Sequence, residues 1–341
     1  SSVNDISGIG FKAILFYLCS SFAAIIIGIF VVNLIQPGLV NGEGASNLVG
    51  LNSNVKLDAL INSQDSYSIS SFLLNIFSGN IFLSIANGNM LFIILFSAVF
   101  GLAIRSSNSK NIQVIKDFWE GIYLVFLKIM RYILFFMPYG VFCLVVKTTI
   151  DFSPDSYIIL SKFFFTVTLA LLIHLLVFYP LVLYLFKRNI VDHFKAMSSA
   201  LLVAFSSSSS VATIPVTTKC LIEDLNYKED RVNFIIPLGA TINMDGTALF
   251  ECVAVIFIAQ LYGVDLSYID QLLVLSLALI TSIGVAGIPS ASFVAIIVIL
   301  SAVGLPLEAV GIILGIDRIL DMMRTSVNIF GDSCCVSVVG K

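Results

Sequence analysis

The chain has 341 residues, of which 58% are hydrophobic and only 11% are charged, and its formal net charge is −3. Its mean hydropathy is +1.03. Charged residues make up about a quarter of an ordinary soluble domain, so this composition excludes that class. Continuous apolar runs long enough to cross about 30 Å of hydrocarbon recur along the chain, whereas a barrel would show alternation. The sequence therefore predicts an all-α polytopic membrane protein.

Continuous apolar segments alternate with polar connectors in the first half of the chain. The predicted spanning segments are 10–36, 118–147 and 160–186. A polar connector covers 37–70, and an interrupted hydrophobic element covers 71–104.

Two later segments are interrupted by residues that are unfavourable against lipid. The segment 196–219 contains five consecutive serines, Ser206 to Ser210, and the segment 270–303 contains a breaker from Ser282 to Ser290. Interrupted segments in corresponding places are typical of transporter sites built from discontinuous helices. The alternative is a pair of merely kinked spanning helices.

The basic residues of the connectors predict a topology. Lys and Arg lie in the connectors 105–116, 187–195 and 219–231, and acids dominate the other connectors. The positive-inside rule makes the three basic connectors cytoplasmic, but only if segments 196–219 and 270–303 each return to the side from which they entered. We therefore predict two re-entrant helical hairpins that enter from opposite faces.

A further segment, 231–262, is interrupted in its middle by Gly239-Ala-Thr241-Ile-Asn243-Met-Asp245-Gly246-Thr247. Glycines beside an Asn-x-Asp pair allow backbone unwinding, and carbonyl, amide and carboxylate oxygens are suitable ligands for sodium. A structural salt bridge is the alternative for Asp245. Asn328 and Asp332 predict a second oxygen-rich site.

A polar stripe runs along the last apolar segment. Its positions 317, 321, 324, 328 and 332 are spaced by three or four residues, so they share one helix face. Arg324 fits a carboxylate bidentately, Asp321 suits an ammonium group, and Thr325 and Asn328 add polar partners. These groups indicate a ligand with one amine and two carboxylates.

The charge sum predicts coupling to cations. Asp317, Arg318, Asp321 and Arg324 cancel, while Asp245 and Asp332 leave two negative charges. An acidic amino acid raises this to about three, which must be compensated at membrane depth. At least two cations are required.

At these residues the chain resembles the glutamate/aspartate transporter family, the dicarboxylate/amino acid:cation symporters. The resemblance covers nearly the whole chain. It is carried by Asn243-Met-Asp245-Gly-Thr247, the serine-rich hairpin, Ala286-Gly287-Ile-Pro289 and Arg324-Thr-x-x-Asn328-x-x-Gly-Asp332.

The resemblance implies a homotrimer in the bacterial inner or plasma membrane, with an elevator mechanism. The transport domain would comprise 1–36 and 151–341, and the scaffold would comprise 37–150 with an extracellular loop. The family has two helices before the first span seen here, so we expect them upstream of this chain. The implied cargo is an acidic amino acid with sodium and protons. No bound cofactor and no nucleic-acid partner are expected.

Individual positions also carry over from the resemblance. The implied substrate contacts are Ser209, Ser210, Thr247, Ile288, Arg318, Asp321, Arg324, Thr325 and Asn328. The implied sodium ligands form three sets: Gly239, Asn243, Asn328 and Asp332; Thr241, Ser282, Ile283 and Val285; and Tyr17, Ser20, Ser21, Asn243 and Asp245. Glu251 is the implied proton carrier, with pairing to a neighbouring base as the alternative.

The chain departs from the family pattern at a few positions. The second arginine usual in the family is absent, because Ser208 and Met322 stand at its two places, and Arg318 is the expected substitute. Ser292 replaces a common hairpin glycine, and Val285 replaces a frequent threonine.

Other functions remain as alternatives. A neutral amino acid carrier would lack the Arg324 clamp, and a C4-dicarboxylate carrier would have no use for Asp321 as an ammonium partner. An ion channel would not need a site with both signs of charge. An intramembrane enzyme has no apparent nucleophile–base pair, and His174, in an apolar run, is interpreted as a packing residue.

Overall fold

The computed structural model describes residues 3–49, 81–82, 90–107, 110–151, 154–284 and 292–339. These residues are largely helical, and a ribbon of two-residue strands, Leu39–Val40 and Glu43–Gly44, follows the first helix. The α-helices are α1 Val3–Ile35, α2 Met90–Ser106, α3 Lys110–Asp151, α4 Pro154–Ile173, α5 Tyr179–Leu185, α6 Ile190–Ser207, α7 Ser210–Lys219, α8 Glu229–Ile242, α9 Asp245–Leu261, α10 Tyr268–Gly284, α11 Ser292–Ala302 and α12 Val310–Val339. Single π-helical turns, His174–Phe178 and Cys220–Asp224, follow α4 and α7, and short 3₁₀ turns cover Ser46–Val49 and Leu307–Ala309.

Three of the described helical stretches are long and apolar enough to cross a bilayer. They are Gly8–Ile35, Ser156–Leu185 and Glu229–Leu261. Together with the apolar helices around them, they confirm the prediction of an all-α polytopic membrane protein.

The chain divides into two compact units. One comprises Ser1–Val55 with Phe152–Lys341, and the other comprises Lys56–Asp151. In the second unit, α3 exposes aromatic side chains such as Phe118, Trp119 and Tyr123. Exposed rings along an apolar helix are typical of a surface that faces lipid.

The serine-rich segment is a pair of packed helices, α6 and α7, here called the first hairpin. Its first arm begins at Ile190 rather than at 196, because the Asn189 side chain caps it and accepts from Val191 N at 3.1 Å. The hairpin turns at Ser208, whose φ of 52° lies in the left-handed region, and Ser209 caps α7. The break therefore falls inside the serine run, as predicted.

The second hairpin consists of α10 and α11, which also pack together. These arms match the predicted segment 270–303, but the breaker at 285–291 lies outside the described residues.

The interrupted segment 231–262 forms α8 and α9, separated by Asn243 and Met244, so the predicted break is confirmed. Sixteen of the 17 residues of α9 are buried, and α9 packs against α1 and α12. The interruption is thereby held in the centre of its unit.

Candidate functional site

The break between α8 and α9 places polar groups in the protein interior. Asn243 and Met244 leave the helical conformation, with ψ values of 98° and 49°. Asp245 then opens α9, where unpaired backbone N–H groups and the helix dipole favour a carboxylate.

Asp245 is completely buried and is bonded by groups from two other helical stretches. Ser20 and Ser21 of α1 each donate to it at 2.5 Å, so the structure brings these predicted residues together. The hydroxyl of Tyr179 also donates to it. Three hydroxyl groups thus donate to the buried carboxylate.

His174 also lies in this group, with Nε2 3.4 Å from the Asp245 carboxylate. His174 also packs as predicted, with its ring stacked on Phe178 at a centroid distance of 4.7 Å, but that interpretation missed the contact with Asp245. Its π-helical turn turns the ring inward and brings the following Tyr179 to the same carboxylate. The hydrophobic pattern gave no signal for either contact.

A second polar group lies where α8 meets α12. Asn243 donates to Asp332 Oδ1 at 2.9 Å and to the Asn328 carbonyl at 3.3 Å. Gly239 faces the same carboxylate so closely that a Cβ there would lie 2.3 Å from Asp332 Oδ1 and 2.6 Å from Tyr17 Oη. Gly239, Asn243, Asn328 and Asp332, predicted as one cation set, are therefore adjacent.

Two oxygens of this group are buried without a hydrogen-bond donor among the described residues, Asn243 Oδ1 and Asp332 Oδ2. Buried acceptors of this kind are costly unless they are satisfied, and sodium prefers oxygen ligands of these types. Their chemistry therefore fits a transported cation.

The predicted stripe on α12 is confirmed as one buried helix face: its five residues are at most 8% exposed. At its centre, Arg324 Nη2 donates to Asp317 at 2.7 Å and to Asp321 at 2.9 Å. The guanidinium carbon lies 3.8 Å from the centre of the Phe250 ring, a cation–π contact. The predicted clamp and its predicted ammonium partner are therefore paired with each other in this structure.

Arg324 is also linked to the second hairpin. Its Nη1 donates to Ser292 Oγ at 3.2 Å, at the first residue of α11. Among the described residues nothing accepts a bond from its buried Nε. The sequence indicated neither the Ser292 contact nor the anchoring role of Asp317.

Asn328 joins the arginine group to the cation groups. Its Nδ2 lies 3.3 Å from Thr247 Oγ1, and its Oδ1 accepts from the Gly246 amide at 2.8 Å. Thr325, by contrast, donates to the Asp321 carbonyl of its own helix at 2.8 Å. Thr247 and Asn328 are therefore in contact, as the substrate prediction requires.

Two of the five serines of the first hairpin, Ser208 and Ser210, are buried, and Ser206 is exposed. Ser209 Oγ accepts from the Ala212 amide at 3.3 Å, and Ser210 is 2% exposed at the start of α7. The hydroxyl of Ser208 is buried with no partner among the described residues.

Some predicted residues are not brought into these groups. Arg318 is exposed and forms no ion pair among the described residues, and its role as the second guanidinium stays a prediction. In the set predicted for a further sodium ion, the exposed Thr241 bonds to the Leu238 carbonyl at 2.8 Å, and Ser282 bonds to the Leu279 carbonyl at 3.1 Å. Both hydroxyls are held by the preceding turn of their own helices, and the prediction for this set, which concerns mostly backbone carbonyls, stays a prediction.

The other members of that set add no further contact. Ile283 is 42% exposed. Val285, and Ile288 of the substrate set, lie outside the described residues.

Glu251 is completely buried in α9, and Thr281 of the second hairpin donates to it at 3.0 Å. Its second oxygen has no donor among the described residues. No basic side chain in the described part of the chain forms an ion pair with it, so the pairing alternative finds no support there.

A multi-pass membrane protein with oppositely charged, buried groups around interrupted helices is a transporter by its architecture. Residues 1–341 match the Sodium:dicarboxylate symporter family, and the chain belongs to that family. It is therefore a multi-pass protein of the cell membrane and not an enzyme.

Curated relatives cover nearly all of the chain. It is 34% identical over 344 residues to the proton/sodium-glutamate symport protein of Geobacillus stearothermophilus, covering 100% of this chain and 80% of the relative. It is 33% identical to the proton/glutamate-aspartate symporter of Escherichia coli (strain K12), covering 98% and 76%. It is 34% identical to excitatory amino acid transporter 3 of Oryctolagus cuniculus, covering 99% and 73%.

Proposed function

We propose that this protein is a secondary active symporter of glutamate or aspartate, driven by sodium and proton gradients. The observation that carries the proposal is the buried Arg324, paired with two aspartates and one helical turn from Asn328. The names of the relatives, which are glutamate or glutamate–aspartate symporters, support the same cargo.

The substrate would bind by exchanging partners with the Arg324 group. Arg324 can turn from Asp321 to a carboxylate of the ligand, and Asp321 can then receive the ligand ammonium. Asp317 remains as the anchor of the guanidinium, and Thr247 and Asn328 lie beside the site. An amino acid with a second carboxylate satisfies both signs of charge.

The charges of the described site require co-transported cations. Four buried aspartates, Asp245, Asp317, Asp321 and Asp332, and one buried arginine leave three negative charges when all are ionised. The exposed Arg318 does not reduce this number. A bound acidic amino acid raises the net charge to four negative charges. Such a charge cannot cross a low-dielectric barrier unless cations neutralise it.

Glu251 is our candidate for the proton-carrying group. Its burial and its single hydroxyl donor leave one carboxylate oxygen able to hold a proton. Glu251 is not included in that count, and protonation would keep it from adding a further negative charge to the loaded site.

We further infer an elevator mechanism in a homotrimer. In this proposal the unit formed by Ser1–Val55 and Phe152–Lys341 carries the cargo, and Lys56–Asp151 belongs to the scaffold. The two hairpins are re-entrant and act as gates on opposite faces. The left-handed turn at Ser208 and the separate arms α10 and α11 support this assignment.

Reconstitution into liposomes tests the cargo and its coupling. We expect labelled glutamate or aspartate to accumulate under an inward sodium gradient, and a proton gradient imposed separately to increase uptake. Uptake of succinate but of neither amino acid would instead support the C4-dicarboxylate alternative. The 2.9 Å pair between Asp321 and Arg324 is compatible with that alternative, because Asp321 already has a cationic partner. Downhill sodium flux with no cargo would contradict symport.

A further inference from the structure

Tyr179 lies between the two cation groups of the interior. It is 0% exposed at the start of α5, and its hydroxyl donates to Asp245 Oδ2. Ser20 Oγ is 3.3 Å from the same phenol oxygen. The sequence prediction included Tyr17, Ser20 and Ser21 around Asp245 but not this tyrosine.

The backbone of α12 is shaped to admit this hydroxyl. A Cβ at Gly331 would lie 2.1 Å from Tyr179 Oη and 2.8 Å from Asn243 Nδ2. Only a residue without a side chain fits there while both groups keep their positions. Gly331 directly precedes Asp332, so the phenol reaches the junction of the two cation groups.

The phenol and a cation compete for the same carboxylate. A proton donated to Asp245 Oδ2 occupies a lone pair that would otherwise face the ion, and charge-assisted hydrogen bonds are among the strong ones. Ser20 donates to the same oxygen, Oδ2, and Ser21 donates to Oδ1, but both serines are themselves predicted cation ligands, whereas Tyr179 is not.

We propose that Tyr179 is a positioning residue whose hydroxyl competes with sodium for the Asp245 carboxylate and thereby lowers the affinity of that site for sodium. This inference rests on the proposed sodium coupling. Its consequence is kinetic: the weaker affinity speeds release of the ion, and with it the completion of a net transport cycle.

The substitution Tyr179→Phe removes the donor and keeps the ring. The ring packs edge-on against His174 and Phe330, with centroids 4.6 Å and 5.6 Å away, so these contacts persist in the variant. Tyr184→Phe is the matched control, because Tyr184 lies in the same helix and is 71% exposed.

Binding of ²²Na⁺ to the purified full chain, without amino acid, measures the effect directly. We expect Tyr179→Phe to lower the sodium Kd by about tenfold, the equivalent of one hydrogen bond to a charged group. Ser20→Ala should change affinity in the opposite direction, because it removes a predicted ligand. Tyr184→Phe should match the wild type.

The transport readout separates this role from a purely structural one. In liposomes, Tyr179→Phe should retain exchange of internal for external amino acid at saturating sodium, while net efflux into sodium-free medium slows. An unchanged or raised sodium Kd in a variant with the wild-type melting temperature would overturn the inference. Absence of sodium binding by the wild type would instead contradict the proposed function.

Discussion

Arg324 and Asp317, seven residues apart on α12, form a 2.7 Å ion pair in which both side chains are almost completely buried. This pair fixes the guanidinium from the side of Asp317, whereas the 2.9 Å bond to Asp321 is the one that a substrate would replace. The two aspartates therefore have different expected roles.

Asp317→Asn is expected to weaken binding of acidic amino acids by about tenfold, because an amide lacks the negative charge that pairs with Arg324. Sodium dependence should remain. Substrate affinity measured by binding to the purified protein checks this, with the exposed Asp265→Asn as control. Equal affinity in Asp317→Asn and wild type would show that the guanidinium is positioned without this anchor.

Asp321→Asn should have a more severe effect and abolish amino acid binding, since an amide does not balance an ammonium group. A residual preference for ligands that lack the amine, such as succinate, is expected because Arg324 stays in place. Competition binding with glutamate and succinate measures it. Wild-type glutamate affinity in this variant would rule out the ammonium assignment.

Arg324→Cys is expected to shift selectivity towards small neutral amino acids while sodium dependence survives. The substitution also leaves Asp317 and Asp321 buried without their guanidinium, a loss of about 3–5 kcal/mol in stability by the usual cost of breaking a buried pair. Uptake of alanine or serine against glutamate, together with thermal melting, separates the two effects.

The exposed Arg318→Cys is the control for that experiment, and it should leave glutamate uptake unchanged. A loss of glutamate uptake in Arg318→Cys equal to that in Arg324→Cys would restore the role predicted for Arg318 from the sequence.

Gly239→Ala should disrupt the cation group around Asp332. Its Cβ would lie 2.3 Å from Asp332 Oδ1, so the carboxylate or α8 must shift. We expect sodium affinity to fall by at least about tenfold, because ligands displaced by a fraction of an ångström no longer converge. Gly311→Ala is the control, since a Cβ at Gly311 would meet nothing within 4 Å. Titration of substrate binding with sodium measures this affinity. Equal sodium affinities in Gly239→Ala and Gly311→Ala would contradict the prediction.

Glu251→Gln is expected to remove the dependence of uptake on a proton gradient and to leave the dependence on sodium intact. Glutamine keeps the shape and the bond from Thr281 but carries no exchangeable carboxyl proton. Uptake under a proton gradient alone, compared with the exposed Glu308→Gln, gives the measurement. Wild-type stimulation by protons in Glu251→Gln would place the proton elsewhere.

The membrane class, the hairpin at Ser208 and the break at Asn243 could be predicted, since hydrophobic length and breaker residues act locally. The buried face of α12 could also be predicted, because helical spacing determines which positions lie together. The spacing does not indicate which side chains of other helices contact that face.

Contacts between distant segments were the part that the sequence did not indicate. His174 and Tyr179, which contact Asp245, lie at a π-helical turn, and such a turn has no apolar period by which the sequence could indicate it. Arg318 was expected on the helix face of Met322, and its exposed side chain lies about 100° around the helix from the buried Asp317.

α12 is continuous from Val310 to Val339 and holds Arg324, Asn328 and Asp332 along about 12 Å of one axis. Backbone positions on one unbroken helix keep their spacing, so a rigid displacement of α12 moves the residues that contact the amino acid and those that contact the metal ion by the same step. The two kinds of cargo would then travel together, whatever the distance or direction of that displacement.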